Sequence, residues 1–172
     1  MSIWQRTKVY DDYFKKINSE DKAYFLGLIA TDGSLSSDLK NEKRRKLSIH
    51  LKAEDVHILK KFKKCLKTKK KLYYSGITYY GKKKTKSNPQ FRLEISSEKI
   101  HSDLIKLGVG KNKTKSLDFP NYKIVPKNLM RHYIRGVFDG DGSINKGKLT
   151  EIGLTFTSGS KKFLTGLKKE LS

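Results

Sequence analysis

Residues Tyr133–Ser143 read YIRGVFDGDGS, an apolar run that breaks into glycine around two acids, Asp139 and Asp141. The same turn occurs earlier at Tyr24–Ser34, YFLGLIATDGS, where Asp32 holds the position of Asp141. Both runs have helical spacing, so each acid falls at a helix C-terminus, where the backbone dipole disfavours a carboxylate by about 0.3–1 kcal/mol. Each run also carries a glycine inside the helix, Gly27 before Asp32 and Gly136 before Asp141. Such a glycine costs about 1 kcal/mol relative to alanine, and its usual compensation is the close approach of another backbone. A single Asp-Gly is an ordinary turn or helix stop. The same local rule broken twice at equivalent positions predicts a site, with the two helices packed through their glycines and both acids at one end. Hard carboxylates facing a cationic groove suit Mg²⁺, which prefers oxygen ligands and keeps several waters.

The groove is cationic because the whole chain is. Its 172 residues hold 39 Lys and Arg against 17 Asp and Glu, a formal net charge of +22. Such a surface attracts polyanions, and counterion release makes it bind nucleic acid with an affinity that falls steeply with salt. The length suits one moderate domain or two small halves sharing a core. Cys65, the one cysteine, excludes an internal disulfide and any multi-cysteine zinc site, and it reads as a bystander in a reducing compartment. No apolar run approaches the ~20 residues needed to span a bilayer, and the lysines are spread along the chain rather than along one amphipathic helix. The expectation is a soluble cytoplasmic protein, or one of an organellar matrix if organelle-encoded, with no membrane partner.

Around the two turns the pattern repeats. Asn18 or Ser19 caps the first helix, with Glu20 and Asp21 in its first turn. A polar, basic segment, SLSSDLKNEKRRK, follows. In KLSIHLK, Leu47, Ile49 and Leu51 alternate with Ser48, His50 and Lys52, the period of a half-buried strand. AEDVHILKKFKKCLK returns to helical spacing through Val56, Leu59, Phe62 and Leu66. Further strands are expected at KKLYYSGITYY and QFRLEIS, with a mobile basic loop, GKKKTKSNP, between them and a helix ending at Gly108 after them. The second copy follows the same order: Gly142 answers Gly33, Leu154 answers Leu47, and SKKFLTGLKKELS answers AEDVHILKKFKKCL. This is an internal duplication about a pseudo-two-fold axis, with a loop shorter by two residues in the second copy. Residues 1–120 form the first repeat, including an N-terminal extension over 1–18, and residues 121–172 begin a second repeat that lacks counterparts of the last two strands and final helix.

The segments Phe25–Gly33, FLGLIATDG, and Ile134–Gly142, IRGVFDGDG, resemble the paired signature of the LAGLIDADG homing endonucleases. DDYFKKINSEDKAYFLGLIATDG and KSLDFPN with MRHYIRGVFDGDGS are similar to intron-encoded and phage-borne members. The resemblance implies an α+β fold of αββαββα repeats in which one chain imitates a dimer, here truncated in its second repeat. It implies a site-specific endonuclease for double-stranded DNA with a long asymmetric target, monomeric when full-length and able to associate through an incomplete half. It further implies Asp32 and Asp141 as catalytic metal ligands and Mg²⁺ as cofactor with Mn²⁺ substituting; Asp139 is secondary, since the invariant acid of the family's pattern is the last one, and Ala30 stands where many members have another acid. Family members carry a basic residue near each scissile phosphate; the match here is the third catalytic residue, Lys113, with Lys115 as fallback. The shortened chain is expected to be inactive or to nick.

Outward residues of the strands, Ser48, His50, Lys52, Arg92 and Glu94, are placed to read base edges, while Lys82, Lys83, Lys84 and Lys86 suit phosphates. Thr155 and Thr157 are the candidates on the second sheet. The alternative within the same fold is an RNA maturase, with intron RNA as partner, or a DNA-binding protein that does not cut. Gly76–Gly81, GITYYG, lacks the catalytic Arg and Glu framework of a GIY-YIG nuclease, and His50, His57, His101 and His132 have no H-N-H or zinc-like spacing.

Overall fold

The computed structural model describes residues 7–38, 41–77, 79–80, 85–110, 113–146 and 152–172. In chain order they form α1 (Glu20–Asp32), β1 (Gly33–Asp38), β2 (Asn41–Lys52), α2 (Val56–Cys65), β3 (Tyr73–Ser75), β4 (Tyr79–Tyr80), β5 (Thr85–Lys86) and β6 (Gln90–Ser96). After these come α3 (Glu98–Lys106), α4 (Lys113–Ser116), α5 (Lys127–Asp141), β7 (Gly142–Lys146), β8 (Ile152–Phe156) and α6 (Lys161–Leu171). The class is α+β with antiparallel sheets, as expected.

Helix α1 starts where Ser19 Oγ accepts a hydrogen bond from the Lys22 amide, and Glu20 and Asp21 oppose the dipole of the first turn. Its residues Ala23–Ala30 are all buried, which explains why AYFLGLIA is apolar without a polar stripe. Phe25 stacks against Phe62 of α2 at 4.5 Å between ring centroids, and Phe14 packs against Phe62 at 6.2 Å. Tyr13, Phe14 and Ile17 are buried, so the segment before α1 is part of the core rather than an appendage.

One four-stranded antiparallel sheet runs in the order β1-β2-β6-β3. Leu47, Ile49 and Leu51 of β2 face Ile95, Leu93 and Phe91 of β6 in register, and all but the half-buried Phe91 lie in the core. The smaller hairpin β7–β8 repeats β1–β2 pair for pair. Gly33↔Ile49, Ser34↔Ser48 and Leu35↔Leu47 correspond to Gly142↔Phe156, Ser143↔Thr155 and Ile144↔Leu154. The duplication read from spacing is therefore a structural one. Helix α6 begins at Ser160, whose Oγ accepts from the Phe163 amide and donates to the Leu117 carbonyl at 2.6 Å. That bond ties the second half to the bridge between the halves.

The structure adds strands where the sequence was polar. SLSSDLKNEKRRK contains β1 and the start of β2, because Leu35 alone among the first residues of β1 turns inward and a single apolar residue shows no alternation. KKLYYSGITYY yields the short β3 and then β4, which pairs with β5, so the described part of the expected basic loop carries a strand.

Candidate functional site

The site grows from the contact of α1 with α5. A Cβ placed on Gly27 would lie 2.1 Å from the Tyr133 carbonyl oxygen, and one placed on Gly136 would lie 2.0 Å from the Tyr24 carbonyl oxygen. These contacts are reciprocal: each glycine receives the carbonyl three residues before the other. Two backbones touch with no side chain between them, which is the compensation the buried glycines require. The helices run in the same direction and finish together. A Cβ on Gly140 would meet Thr31 Oγ1 at 2.0 Å and Asp32 Oδ2 at 3.2 Å, so the carboxylate of Asp32 lies against the turn that carries Asp141.

Lys113, on the one-turn helix α4, reaches this end. Its Nζ donates to the carbonyls of Ile29 at 2.5 Å and Thr31 at 2.8 Å, placing a cation on the negative end of α1. Burial pulls the Lys113 ammonium down to about 8, against the upward effect of Asp32 and Asp141. Burial, then the neighbouring Asp141 carboxylate, pushes Asp32 up to about 6, with Lys113 pulling the other way. Asp141 is also raised by burial and lowered by Lys113. Two partly desolvated acids and one lysine thus share a single electrostatic neighbourhood.

The second acid of the second turn has another task. Tyr24 donates its hydroxyl to Asp139 Oδ2 at 2.7 Å, and the Arg135 guanidinium lies 4.8 Å from the Tyr24 ring centroid. Asp139 is held by a side chain of α1, whereas Ala30, its equivalent, offers nothing to hold. Sequence reasoning passed over Tyr24; its signal was that Tyr24 and Tyr133 open the two turns at equivalent places, opposite unlike partners.

The sheet presents a second set. Ser48, His50 and Lys52 pair in register with Glu94, Arg92 and Gln90, and all point away from the buried Leu and Ile residues. Arg92 bridges to Glu94 at 3.5 Å and lies 5.3 Å over the Tyr73 ring. Burial, then Arg92, lowers His50, opposed by Glu94. Ser48, His50, Lys52, Arg92 and Glu94 therefore share one polar face. Lys86 is exposed on β5, and Lys82, Lys83 and Lys84 lie outside the described residues. In the second half Thr155 accepts from Asn145 Nδ2 at 2.8 Å, and the Thr157 amide donates to the Asp141 carbonyl at 3.3 Å. Lys115 is exposed, and it is Lys113 rather than Lys115 that faces the acids.

Among the described residues no cluster of three or more His, Cys, Asp or Glu is gathered for a metal. The donor set is two hard carboxylates with backbone carbonyls beside them, which fits a cation that retains much of its water shell rather than zinc or copper. Among the same residues no helix is long and apolar enough to cross a membrane.

Residues 128–172, which hold the second acidic turn and its hairpin, match the family model described as a LAGLIDADG-like domain. The likeness of fold to a solved structure extends beyond that segment. The homing endonuclease I-WcaI, bound to its DNA recognition sequence, superposes with a TM-score of 0.61 over 93% of this chain and 70% of its own, at 19% identity. Mesophilic variants of the homing endonuclease I-DmoI give a TM-score of 0.44 at 17% identity, over 75% of this chain and 65% of theirs. An I-DmoI variant in complex with its target DNA, in the presence of 2 mM Mn, gives 0.41 at 17% identity, over 75% and 68%. This chain thus spans about two thirds of the I-DmoI chains. None of the curated proteins matches it.

Proposed function

We propose that the chain is a site-specific endonuclease of double-stranded DNA that hydrolyses phosphodiesters with a divalent cation, Mg²⁺ or in its place Mn²⁺, held by Asp32 and Asp141. The supporting observation is the meeting of those two acids with Lys113 at the joined ends of the glycine-packed helices. The raised carboxylates shed their cost when a cation neutralises them. When bound, the divalent ion supplies Lewis-acid activation of water and charge stabilisation at the leaving oxygen.

The remaining work falls to the chain itself. Lys113, with its titration drawn to about 8, is mostly protonated at neutral pH and places positive charge where a scissile phosphate gathers negative charge. The polar face of β2 and β6 carries the donors and acceptors that distinguish base pairs in a major groove: Ser48, His50, Lys52, Arg92 and Glu94. Lysines at its margin, Lys86 among them, hold phosphates without reading sequence.

A supercoiled plasmid carrying the genomic sequence that flanks the gene tests this. With Mg²⁺ the protein converts it to nicked or linear product, and with EDTA the DNA is bound but intact. DNA that is shifted and never cut under either condition overturns the endonuclease reading in favour of a non-cleaving DNA-binding protein. A preference for intron RNA over that duplex overturns it in favour of a maturase.

A further inference from the structure

Residues 60–71 read KKFKKCLKTKKK, eight lysines with no acid among them. They cover the end of α2 and the turn after it. The opposite face of α2 is in the core: Leu59 and Phe62 are fully buried, and Phe62 stacks on Phe25 of α1. The polar face of β2 and β6 looks away from that core, so the lysines form a ridge on the far side of the molecule from Ser48, His50, Arg92 and Glu94. Among the described residues Lys61 alone of the eight pairs with an acid, Asp21 at 2.6 Å. The helix dipole accounts for Lys63 and Lys64 in the last turn. It does not account for Lys60, Lys67, Lys69 and Lys71, all exposed. Helices α2 and α3 close with the same pair of bonds. The Lys67 and Thr68 amides donate to the carbonyls of Lys64 and Lys63, as those of Gly108 and Val109 donate to Ile105 and Leu104. At the left-handed position α3 has Gly108, with φ 90°, whereas α2 has Lys67, with φ 49°. That conformation disfavours any side chain, and glycine is its usual occupant. A local preference broken inside a run of lysines points to a use for the charge.

We infer that this ridge binds the phosphate backbone of a second DNA duplex while the polar sheet face holds the first, an inference that rests on the DNA-cutting reading of the site. Lys60, Lys64 and Lys67 recur at the spacing of one helix face. They span roughly 10 Å at about 1.5 Å per residue, the axial rise of about three phosphates on one DNA strand at roughly 3.4 Å each. Lysine contacts to phosphate carry no sequence information, so the second duplex is of any sequence. An unpaired strand fits worse. Phe62, the one aromatic residue of the run, is buried, and the Tyr10 ring beside it is covered by Lys67 Nζ at 5.5 Å, so no open ring is offered for base stacking. A membrane surface also fits worse, because the apolar face of α2 that would enter it lies in the core. With DNA on both sides, the protein passes between neighbouring segments without leaving DNA, which shortens the search for a long target.

The intact 172-residue protein is saturated with a donor-labelled short duplex carrying the genomic flanking sequence, and an acceptor-labelled duplex of random sequence is titrated in. The expected result is energy transfer, with a sedimentation mass of one protein and two duplexes. Lys60→Gln, Lys64→Gln and Lys67→Gln together should weaken binding of the second duplex at least tenfold and make its salt slope shallower by about 3. Binding and cutting of the first duplex should be unchanged. Lys67→Gly alone should raise the urea midpoint and still weaken the second duplex, a combination that a merely structural lysine does not give. One duplex per protein at saturation overturns the inference, as does a mass of two proteins with two duplexes. So does a triple variant that keeps the second duplex or loses both equally. Displacement of the second duplex by single-stranded RNA or anionic phospholipid vesicles more readily than by unlabelled duplex overturns it in favour of that ligand. Cutting is scored on the first duplex alone, so its absence speaks against the endonuclease reading and leaves the ridge to be judged by the second duplex.

Discussion

Helix α1 and helix α5 carry the same turn at the same end, yet α1 is buried on every side from Ala23 to Ala30 while α5 leaves Arg135 and Asp139 exposed. The hairpins that follow them repeat the contrast, sealed in one half and open in the other. The shared register is local in origin: each strand leaves its helix at a glycine whose amide turns back to the carbonyl four residues earlier, Ile29 in one half and Phe138 in the other. Burial is a tertiary matter and depends on which elements lie above the hairpin. The halves thus separate what sets geometry from what supplies stability, and the site needs only the first from each.

The largest effect should come from the reciprocal glycines. Gly27→Ala and Gly136→Ala each force a methyl into a carbonyl about 2 Å away, and each should lower stability in urea by about 3 kcal/mol. Gly153→Ala, whose nearest neighbour is the Asn145 carbonyl oxygen at 3.8 Å, should stay within about 0.5 kcal/mol of the parent. A clear difference between the first two would break the pseudo-symmetry. Gly140→Ala tests where the helices stop being alike, since Thr31 fills the space that glycine leaves. It should cost about 2 kcal/mol, and Thr31→Gly in the same chain should restore more than half.

Tyr24→Phe removes the hydrogen bond to Asp139 and should cost about 1.5 kcal/mol. In an Asp139→Ala background, which copies Ala30, it should cost nothing measurable. The smallest effect is electrostatic. Asp32 binds its proton more tightly in the folded state, about 6 against 3.8. Its stabilising contribution is therefore complete below pH 3.8 and lost as pH rises through about 6. Asp32→Asn should then be more stable than the parent at pH 7 by about 1 kcal/mol, after allowance for solvent screening at a half-exposed carboxylate. The gap should close in acid and narrow with Mg²⁺. Lys113 has the opposite slope: its ammonium is disfavoured below about pH 8, and that cost is relieved as pH climbs toward 10.5.

The parts of this arrangement legible in the sequence were those that repeat. Gly27, Gly136, Asp32 and Asp141 stood out because each broke a local preference, and the breach in the first turn recurs at the matching positions of the second. The alternation in β2 and β6 was legible because one face is apolar throughout. The strand β1 was not, since Leu35 is the one apolar side chain among its residues 33–36 that turns inward, and serine fits either a loop or a polar strand face. Nor was the Tyr24–Asp139 bond, which joins two distant parts of the chain and leaves no periodic trace. The stretch before α1 read as an extension because aromatic residues among lysines and acids show no helical period, although Phe14 is as buried as any residue in the chain.

The central claim is that each half contributes one acid to a single DNA-cutting site. The direct measurement compares plasmid cleavage by the parent, Asp32→Asn and Asp141→Asn in Mg²⁺, with DNA binding followed in parallel. Each substitution should slow cutting by about 100-fold or more while DNA is still shifted. Parental cutting rates in either variant would contradict the claim, because that acid would then lie outside the chemistry.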